Sequence, residues 1–142
     1  MEESKGKEID IEKMKKERDE YLAGWKRAKA DLINFKQETA ESLGRFADLA
    51  KVECIREFLP VYDALCEAEK NTVEGLLPIK KLYESILSRE GVEIICPQSG
   101  DYFELERHEA VGGRGTIVDS TRQIGFKYKT YIIRPAKVTV NE

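Results

Sequence analysis

The chain of 142 residues has few of the side chains that usually carry catalytic or covalent chemistry. It contains one histidine, three cysteines, four prolines and one tryptophan. Cys54, Cys66 and Cys96 are odd in number and show no C-x-x-C spacing, which argues against a disulfide framework and against a zinc site. We expect all three to be small buried hydrophobic side chains in a reducing cytoplasm.

Long apolar runs and an excess of one charge are also missing. No apolar run approaches the ~18 residues of a membrane-spanning helix. Residues 1–10 are rich in Glu and Lys and resemble neither a secretory signal nor a transit peptide. The 24 basic and 27 acidic residues leave a net charge of −3, which gives no net attraction to nucleic acid or anionic lipid. The composition predicts a soluble, cytoplasmic chain with neither a membrane nor a nucleic-acid partner.

The strongest pattern is a heptad repeat from Ile11 to Leu49. Nine of its twelve a and d positions are apolar or aromatic: Ile11, Met14, Tyr21, Trp25, Ala28, Leu32, Phe35, Phe46 and Leu49. A step near 3.5 residues is typical of a helix that pairs with another helix. At 1.5 Å per residue this stretch is roughly 60 Å long, more than a small domain can cover. The repeat therefore predicts a dimer seam.

The flanking charges favour a parallel homodimer. Positions g are mostly acidic (Asp10, Glu17, Asp31 and Glu38, with Arg45 the exception), and positions e carry Lys15, Lys29 and Lys36. In a parallel pair g faces the next e of the partner, so Asp10 meets Lys15 and Asp31 meets Lys36, whereas an antiparallel pair sets acid against acid. Polar Arg18, Thr39 and Ser42 in the seam make it marginal. The alternative is a helix packed within a bundle of its own chain.

The rest of the chain predicts an α+β fold with an antiparallel sheet. Residues 1–9 are expected to be a flexible charged tail, followed by a helix over 10–58. Pro60 should break or kink that helix and begin another that runs to Lys70. After a loop at 71–75, a third helix covers Leu76–Arg89, and Gly91 suits a left-handed cap.

Beyond residue 91 the periodicity changes to that of short strands in a small antiparallel β module. The predicted strands are 92–95, 116–118, 124–129, 131–133 and 137–140. The stretch from Gly112 to Gly115 is predicted to be a turn. About 50 residues of short strands bury little surface alone, so the module should lean on the helices or on a partner.

No catalytic motif stands out. His108-Glu109 lacks the second histidine of a zinc helix, and the glycines at 112–115 lack the Lys-Ser/Thr of a phosphate loop. We interpret His108 as structural, and Lys26, Arg27 and Lys29 as a solvated helix face. The residues favour a protein-binding chain over an enzyme, with no metal and no cofactor.

Six motifs, in order across residues 20–140, resemble the GrpE family. The stretch 27–36 (RAKADLINFK) is similar to R-x-x-A-D-x-x-N-[YF]-[KR], and 58–65 (FLPVYDAL) is similar to L-L-P-V-x-D-N-L. Residues 91–95 match G-V-E-x-I, and Phe103 with 108–111 resembles F-D-P-x-x-H-E-A-V. Residues 123–126 resemble Q-x-G-[YF], and 133–140 resemble L-R-P-A-x-V-x-V. The stretch between Val111 and Thr116 is shorter than in the family.

The resemblance implies a homodimer that acts as nucleotide exchange factor for a DnaK-type heat-shock chaperone. It implies paired long helices, a dimeric four-helix bundle formed by residues 59–90, and a small β domain at 91–142. One β domain would wedge open the ATPase domain of the chaperone and release ADP. Melting of the long helices on heating would reduce exchange.

The resemblance also suggests roles for individual residues. Expected chaperone contacts are Glu93, Phe126, Lys127 and Arg134 from the β domain, and Arg27, Asn34 and Lys36 from the long helix. Expected structural residues are Pro60, Asp63, Gly91, His108, Gly125 and Pro135. The alternatives are a coiled-coil adaptor without exchange activity and a nucleic-acid-binding dimer, which the acidic charge disfavours.

Overall fold

The structure is a computed structural model that describes residues 2–71 and 75–142, with side chains from residue 11 onward. Within these residues it has an α+β architecture of two helices and six strands. In chain order they are α1 (Glu2–Lys70), α2 (Leu76–Arg89), β1 (Val92–Ile95), β2 (His108–Gly113), β3 (Ile117–Gln123), β4 (Gly125–Tyr128), β5 (Tyr131–Arg134) and β6 (Ala136–Asn141). The chain divides into two compact units, Met1–Ala47 and Asp48–Glu142.

Helix α1 is longer at both ends than the sequence pattern indicated. It already includes Glu2, within the segment expected to be a tail, and it continues through Pro60 to Lys70. The prediction of two separate helices around Pro60 is therefore wrong, although Lys70 is confirmed as the end. Pro60 does remove one backbone hydrogen bond. Its neighbours Leu59 and Tyr62 are each only 1% exposed, so burial of these side chains holds the helix together across the proline.

Helix α2 has the predicted bounds and the predicted cap. The N–H of Glu90 donates to the carbonyl of Ile86, and the N–H of Gly91 donates to that of Ser88, both at 3.0 Å. Gly91 has φ +81°, a left-handed conformation that glycine adopts without a side-chain clash. The loop predicted before α2 falls mainly on residues 72–74, which lie outside the described residues.

The strands form two three-stranded sheets. Sheet 1 has the order β1–β4–β5 and is antiparallel throughout. Sheet 2 has the order β2–β6–β3, with β6 antiparallel to β3 but parallel to β2. The expectation of a wholly antiparallel module is therefore wrong for the β2–β6 pair.

The limits of two strands also differ from the prediction. Gly112 and Gly113, assigned to a turn, form the end of β2, which pairs with β6 across a bulge. β3 extends through the polar residues Asp119 to Gln123. Its Ser120 hydroxyl lies 2.7 Å from the Thr139 hydroxyl of β6, so cross-strand polar contacts replace the apolar alternation that marks most strands.

Two buried clusters lie within the unit Asp48–Glu142. The first joins α1, α2 and sheet 1 through Val52, Leu59, Tyr62, Leu87, Val92, Phe126, Tyr128 and Ile133. The second packs Ile95 of β1 against four residues of sheet 2: Val118, Ala136, Val138 and Val140. The first cluster confirms that the β module leans on the helices, because Tyr62 of α1 packs edge-on against Phe126 of β4.

The cysteines are not the buried hydrophobes that we expected. Cys54 and Cys96 are exposed, Cys66 is half-buried, and all three are free thiols. Burial raises the pKa of the Cys66 thiol, which keeps it protonated at neutral pH.

Candidate functional site

The predicted seam of α1 is an exposed apolar stripe in the single chain. Its large side chains are between 47% (Leu49) and 77% (Tyr21) exposed, and Ala28 is exposed as well. Two further apolar residues, Leu22 at 45% and Leu43 at 64%, occupy e positions and widen the stripe. The sequence-based prediction included only the lysines at e and missed these two. An apolar stripe of this length marks a protein contact surface.

The three predicted contact residues of α1 do not share one face. Arg27 and Asn34 are exposed and seven residues apart, so they lie on the same side of the helix. Lys36 is also exposed but lies about 200° around the helix axis from Asn34. Helix geometry therefore pairs Arg27 with Asn34 and places Lys36 next to the apolar stripe.

Phe126 cannot be a surface contact, which corrects the sequence-based expectation. The side chain is 0% exposed and packs edge-on against Tyr62, with ring centroids 5.3 Å apart. It belongs to the cluster that joins α1 and sheet 1. A motif match cannot tell the two faces of a strand apart, and in β4 this residue points into the core.

Arg134 is likewise engaged inside the unit. Its guanidinium donates two hydrogen bonds of 2.7 Å to the Asp63 carboxylate and lies 5.4 Å from the Phe126 ring centroid. Gln123 Nε2 donates to the same carboxylate at 2.9 Å. Asp63 of α1 thus holds two points of the β module, the end of β3 and the end of β5.

A second attachment lies fifteen residues earlier on α1. The Asp48 carboxylate accepts hydrogen bonds from Lys129 Nζ at 2.6 and 2.8 Å and from the Tyr128 hydroxyl at 3.2 Å. Lys51 Nζ pairs with Glu90 Oε2 at 2.8 Å. These contacts tie the β4–β5 turn and the end of α2 to the helix. Sheet 1 is therefore fixed to α1 near both ends.

The pKa of Asp63 lies below its ordinary value. Burial would raise it, but the hydrogen bonds from Arg134 and Gln123 favour the charged carboxylate and outweigh burial. A depressed pKa means that this carboxylate stabilises the fold above its unfolded pKa of about 4, and that the contribution disappears as pH falls through the folded value.

Asp63→Asn should therefore lower the free energy of unfolding at pH 7 by about 1–2 kcal/mol, a value reduced because the carboxylate is one-third exposed. The difference from wild type should shrink as the pH is lowered from 5 toward 3, because the wild-type carboxylate then becomes protonated. Urea unfolding at fixed protein concentration across this range measures it. A difference that stays constant with pH would contradict the assigned ion pair.

Glu93 and Lys127 lie next to each other on the face of sheet 1 away from α1. They are register partners in the β1–β4 pair, with Glu93 exposed and Lys127 half-buried. Glu93 Oε1 also accepts a hydrogen bond from Arg107 at 2.5 Å. The structure thus brings two of the predicted contact residues together and adds Arg107, which sequence reasoning missed because it is 14 residues away along the chain.

Three further residues were predicted to be structural, and all three lie in packed positions: His108, Gly125 and Pro135. His108 is 7% exposed, and its Nδ1 accepts a hydrogen bond from the Glu104 N–H at 3.1 Å. A side chain at Gly125 would place its Cβ 2.4 Å from the Ala136 nitrogen, so only glycine fits between β4 and the start of β6. Pro135 is half-buried between β5 and β6.

Residues 2–71 and 75–142 offer neither a metal-binding cluster nor a membrane-spanning helix. They contain no group of three or more His, Cys, Asp or Glu placed to hold a metal ion. In the same described residues, no helix has an apolar stretch long enough to cross a bilayer.

A helix with an exposed apolar stripe, followed by a small two-sheet module in which Glu93 and Lys127 lie next to each other, defines an α+β protein-binding chain. The comparison with known proteins gives the family. A GrpE family model matches residues 1–142. The chain belongs to the GrpE family and is therefore a co-chaperone, a partner of DnaK-type chaperones.

Individual relatives agree with the family match. The chain is 32% identical to Protein GrpE of Thermus thermophilus over 135 residues, which cover 88% of this chain and 73% of the relative. It is 27% identical to Protein GrpE of Cereibacter sphaeroides over 149 residues (93% and 84%). It is 26% identical to Protein GrpE of Oceanobacillus iheyensis over 148 residues (94% and 77%).

Proposed function

We propose that this chain is an adenyl-nucleotide exchange factor that opens the ATPase domain of a DnaK-type chaperone and releases ADP. The observation that carries the proposal is the family match over the full 142 residues. We place the activity in the cytoplasm and assign the chain no catalytic step and no cofactor. The functional divisions are a tail at 1–9, a dimerising helix at 10–58, a bundle segment at 59–90 and a β domain at 91–142.

We propose that a second copy covers the stripe of α1. Trp25 and Leu32 are 58% and 51% exposed, and nothing within the described part of the chain covers them. In a parallel partner with the same sequence, Asp10 would face Lys15 and Asp31 would face Lys36. Leu22 and Leu43 at e would extend the buried contact beyond the a/d seam.

The same dimer would include a four-helix bundle. The end of α1 and helix α2 expose large apolar side chains in the single chain: Phe58, Val61, Leu77, Ile79, Leu82 and Ile86, each 47–60% exposed. A groove of about 220 Å³ between them is lined by Cys54, Ile55, Phe58, Tyr83, Ile86, Leu87 and Glu90. Two such surfaces from two chains would cover each other.

Glu93 and Lys127 are the β-domain residues that we propose to meet the chaperone. Arg134 acts through Asp63 by positioning sheet 1 on the helix, and Phe126 is part of that support. Arg27 and Asn34 form one proposed helix contact, with Lys36 on another face. Exchange requires that this surface bind the open nucleotide cleft more tightly than the closed one, because equal affinity shifts no population.

Release of a fluorescent ADP analogue from a DnaK-type chaperone tests the proposal. We expect the chain to accelerate release by about tenfold or more at micromolar concentration, a differential affinity of at least ~1.4 kcal/mol between open and closed cleft. A coiled-coil adaptor would bind the chaperone without accelerating release. Binding with an unchanged release rate would therefore support the adaptor and reject exchange activity.

A further inference from the structure

A polar cavity of about 470 Å³ opens in the β module beside the end of β1. It is lined by Ile94, Ile95, Cys96, Pro97, Asp101, Tyr102, Glu104, Arg107 and His108. The loop of residues 101–107 forms one wall, and the residues that follow β1 form another. The GrpE-like motif of Phe103 and residues 108–111 includes His108 of this cavity, but none of the predicted chaperone contacts lines it.

One nitrogen donor at this cavity is available for an acceptor, and a second one is buried beside it. Arg107 directs one terminal nitrogen to Glu93 at 2.5 Å and the other toward Glu104 at 3.9 Å, while its buried Nε has no hydrogen-bond partner among the described residues. His108 Nδ1 accepts from the Glu104 N–H, so the proton of the neutral ring belongs on Nε2. Burial lowers the pKa of His108, which keeps the ring neutral at pH 7. Carbonyl oxygens satisfy such donors without adding charge.

The rim of the cavity is apolar and strongly exposed. Leu105 at 86% and Tyr102 at 78% are the two most exposed large hydrophobic side chains in the described part of the chain. Both belong to the loop 101–107, and Tyr102 also lines the cavity. Tyrosine is one of the residues enriched at the anchor positions of protein contacts, and Leu105 beside it enlarges the exposed apolar patch.

The acidic side chains around the cavity favour a basic occupant. Glu93, Glu104 and Glu106 are exposed, as is Asp101, whereas Arg107 is the one base of this loop and is shared between Glu93 and Glu104. Glu106 has no ion pair among the described residues. Such a surface repels acidic segments and attracts Lys or Arg.

We propose that this cavity and its loop dock a basic, extended segment of the chaperone's ATPase domain. A backbone carbonyl of that segment accepts from His108 Nε2, a Lys or Arg side chain meets Glu104 and Glu106, and an apolar side chain packs on Tyr102 and Leu105. The inference rests on the proposed function and adds to it a second partner-facing surface, next to Glu93.

The test compares variants by calorimetric titration into a DnaK-type chaperone, after the wild-type chain has been shown to accelerate ADP release. Tyr102→Ala combined with Leu105→Ala should weaken Kd by about tenfold or more, because both anchors are lost. Glu106→Lys should weaken Kd by about three- to tenfold and reduce its salt dependence. Thermal unfolding should change little for either variant, since all three side chains are exposed.

Matched controls keep the result specific. Val111→Ala removes an exposed apolar side chain of the same module (49% exposed), and Glu109→Lys changes the net charge equally, yet neither residue lines the cavity. Both controls should bind within about twofold of wild type.

The outcomes separate this surface from the proposed function. If the wild-type chain accelerates ADP release and the Tyr102/Leu105 variant still binds within about twofold of it, the docking surface is wrong while exchange activity stands. If the wild-type chain does not accelerate release, the proposed function is wrong, and the inference that rests on it is wrong as well. If sedimentation shows that the variant loses self-association instead, the surface contacts a second copy and the inference is overturned.

Discussion

Phe126→Ala is expected to cost about 3–5 kcal/mol in the free energy of unfolding, the range for a large aromatic removed from a packed core. The side chain is 0% exposed, contacts the Tyr62 ring edge-on and supports the Arg134 guanidinium. Its loss leaves a cavity where α1 meets sheet 1. It also removes the ring against which the Arg134 guanidinium of the Asp63–Arg134 pair lies. Denaturant unfolding, followed by circular dichroism at fixed protein concentration, measures the change.

Lys127→Ala is the matched control on the next position of the same strand. Lys127 is half-buried on the opposite side of sheet 1, so its removal should cost less than about 1 kcal/mol of stability. We expect it to weaken chaperone binding while the fold remains intact. If Phe126→Ala instead retained wild-type stability and lost only chaperone binding, the original sequence-based role of Phe126 would be restored.

The combination Leu32→Asp with Phe35→Asp is expected to abolish dimerisation. Both residues belong to the stripe, at a and d positions, and are 51% and 65% exposed in the single chain. A dimer would have to bury two carboxylates from each chain in an apolar seam, which costs several kcal/mol in total. The dimer dissociation constant should rise by at least about a hundredfold. Analytical ultracentrifugation between about 1 and about 50 μM measures the shift.

Ala30→Asp provides the control because it adds a carboxylate on the opposite side of the same helix. Ala30 lies at position f and is exposed, so the variant should sediment like wild type. If the seam variant sediments like this control, the proposed dimer through the α1 stripe is wrong. Release of ADP by the two variants then shows whether exchange depends on pairing of the helices.

Much of the architecture could be predicted from local patterns. The heptad repeat indicated the long helix, and the apolar periodicity with Gly91 indicated α2 with its cap at the predicted residues. Four predicted strands overlap β1, β4, β5 and β6 because β-branched and aromatic residues dominate there. β2 was missed because its last residues are glycines, and β3 was shortened because its second half is polar.

The contact residues were harder to predict, for a geometric reason. A family motif gives a residue's position along a strand, but exposure depends on which face is covered. Glu93 and Lys127 face outward together, whereas Phe126, the neighbour of Lys127 in sequence, faces α1. Arg107 and the cavity that it lines depend on how the loop 101–107 folds back against β1, which residue spacing does not indicate.

Residue spacing alone predicts that α1 pairs with a partner, and it shows that the chain has the GrpE motifs, because the heptad repeat and the motifs are both features of the linear chain. Three-dimensional packing establishes that α1 runs unbroken through Pro60, that β2 is parallel to β6, and that Asp63 and Asp48 fix sheet 1 to the helix. These features depend on burial and on ion pairs between residues up to 81 positions apart. Such contacts exist only after the chain has folded, and they stabilise local conformations that the isolated segments disfavour.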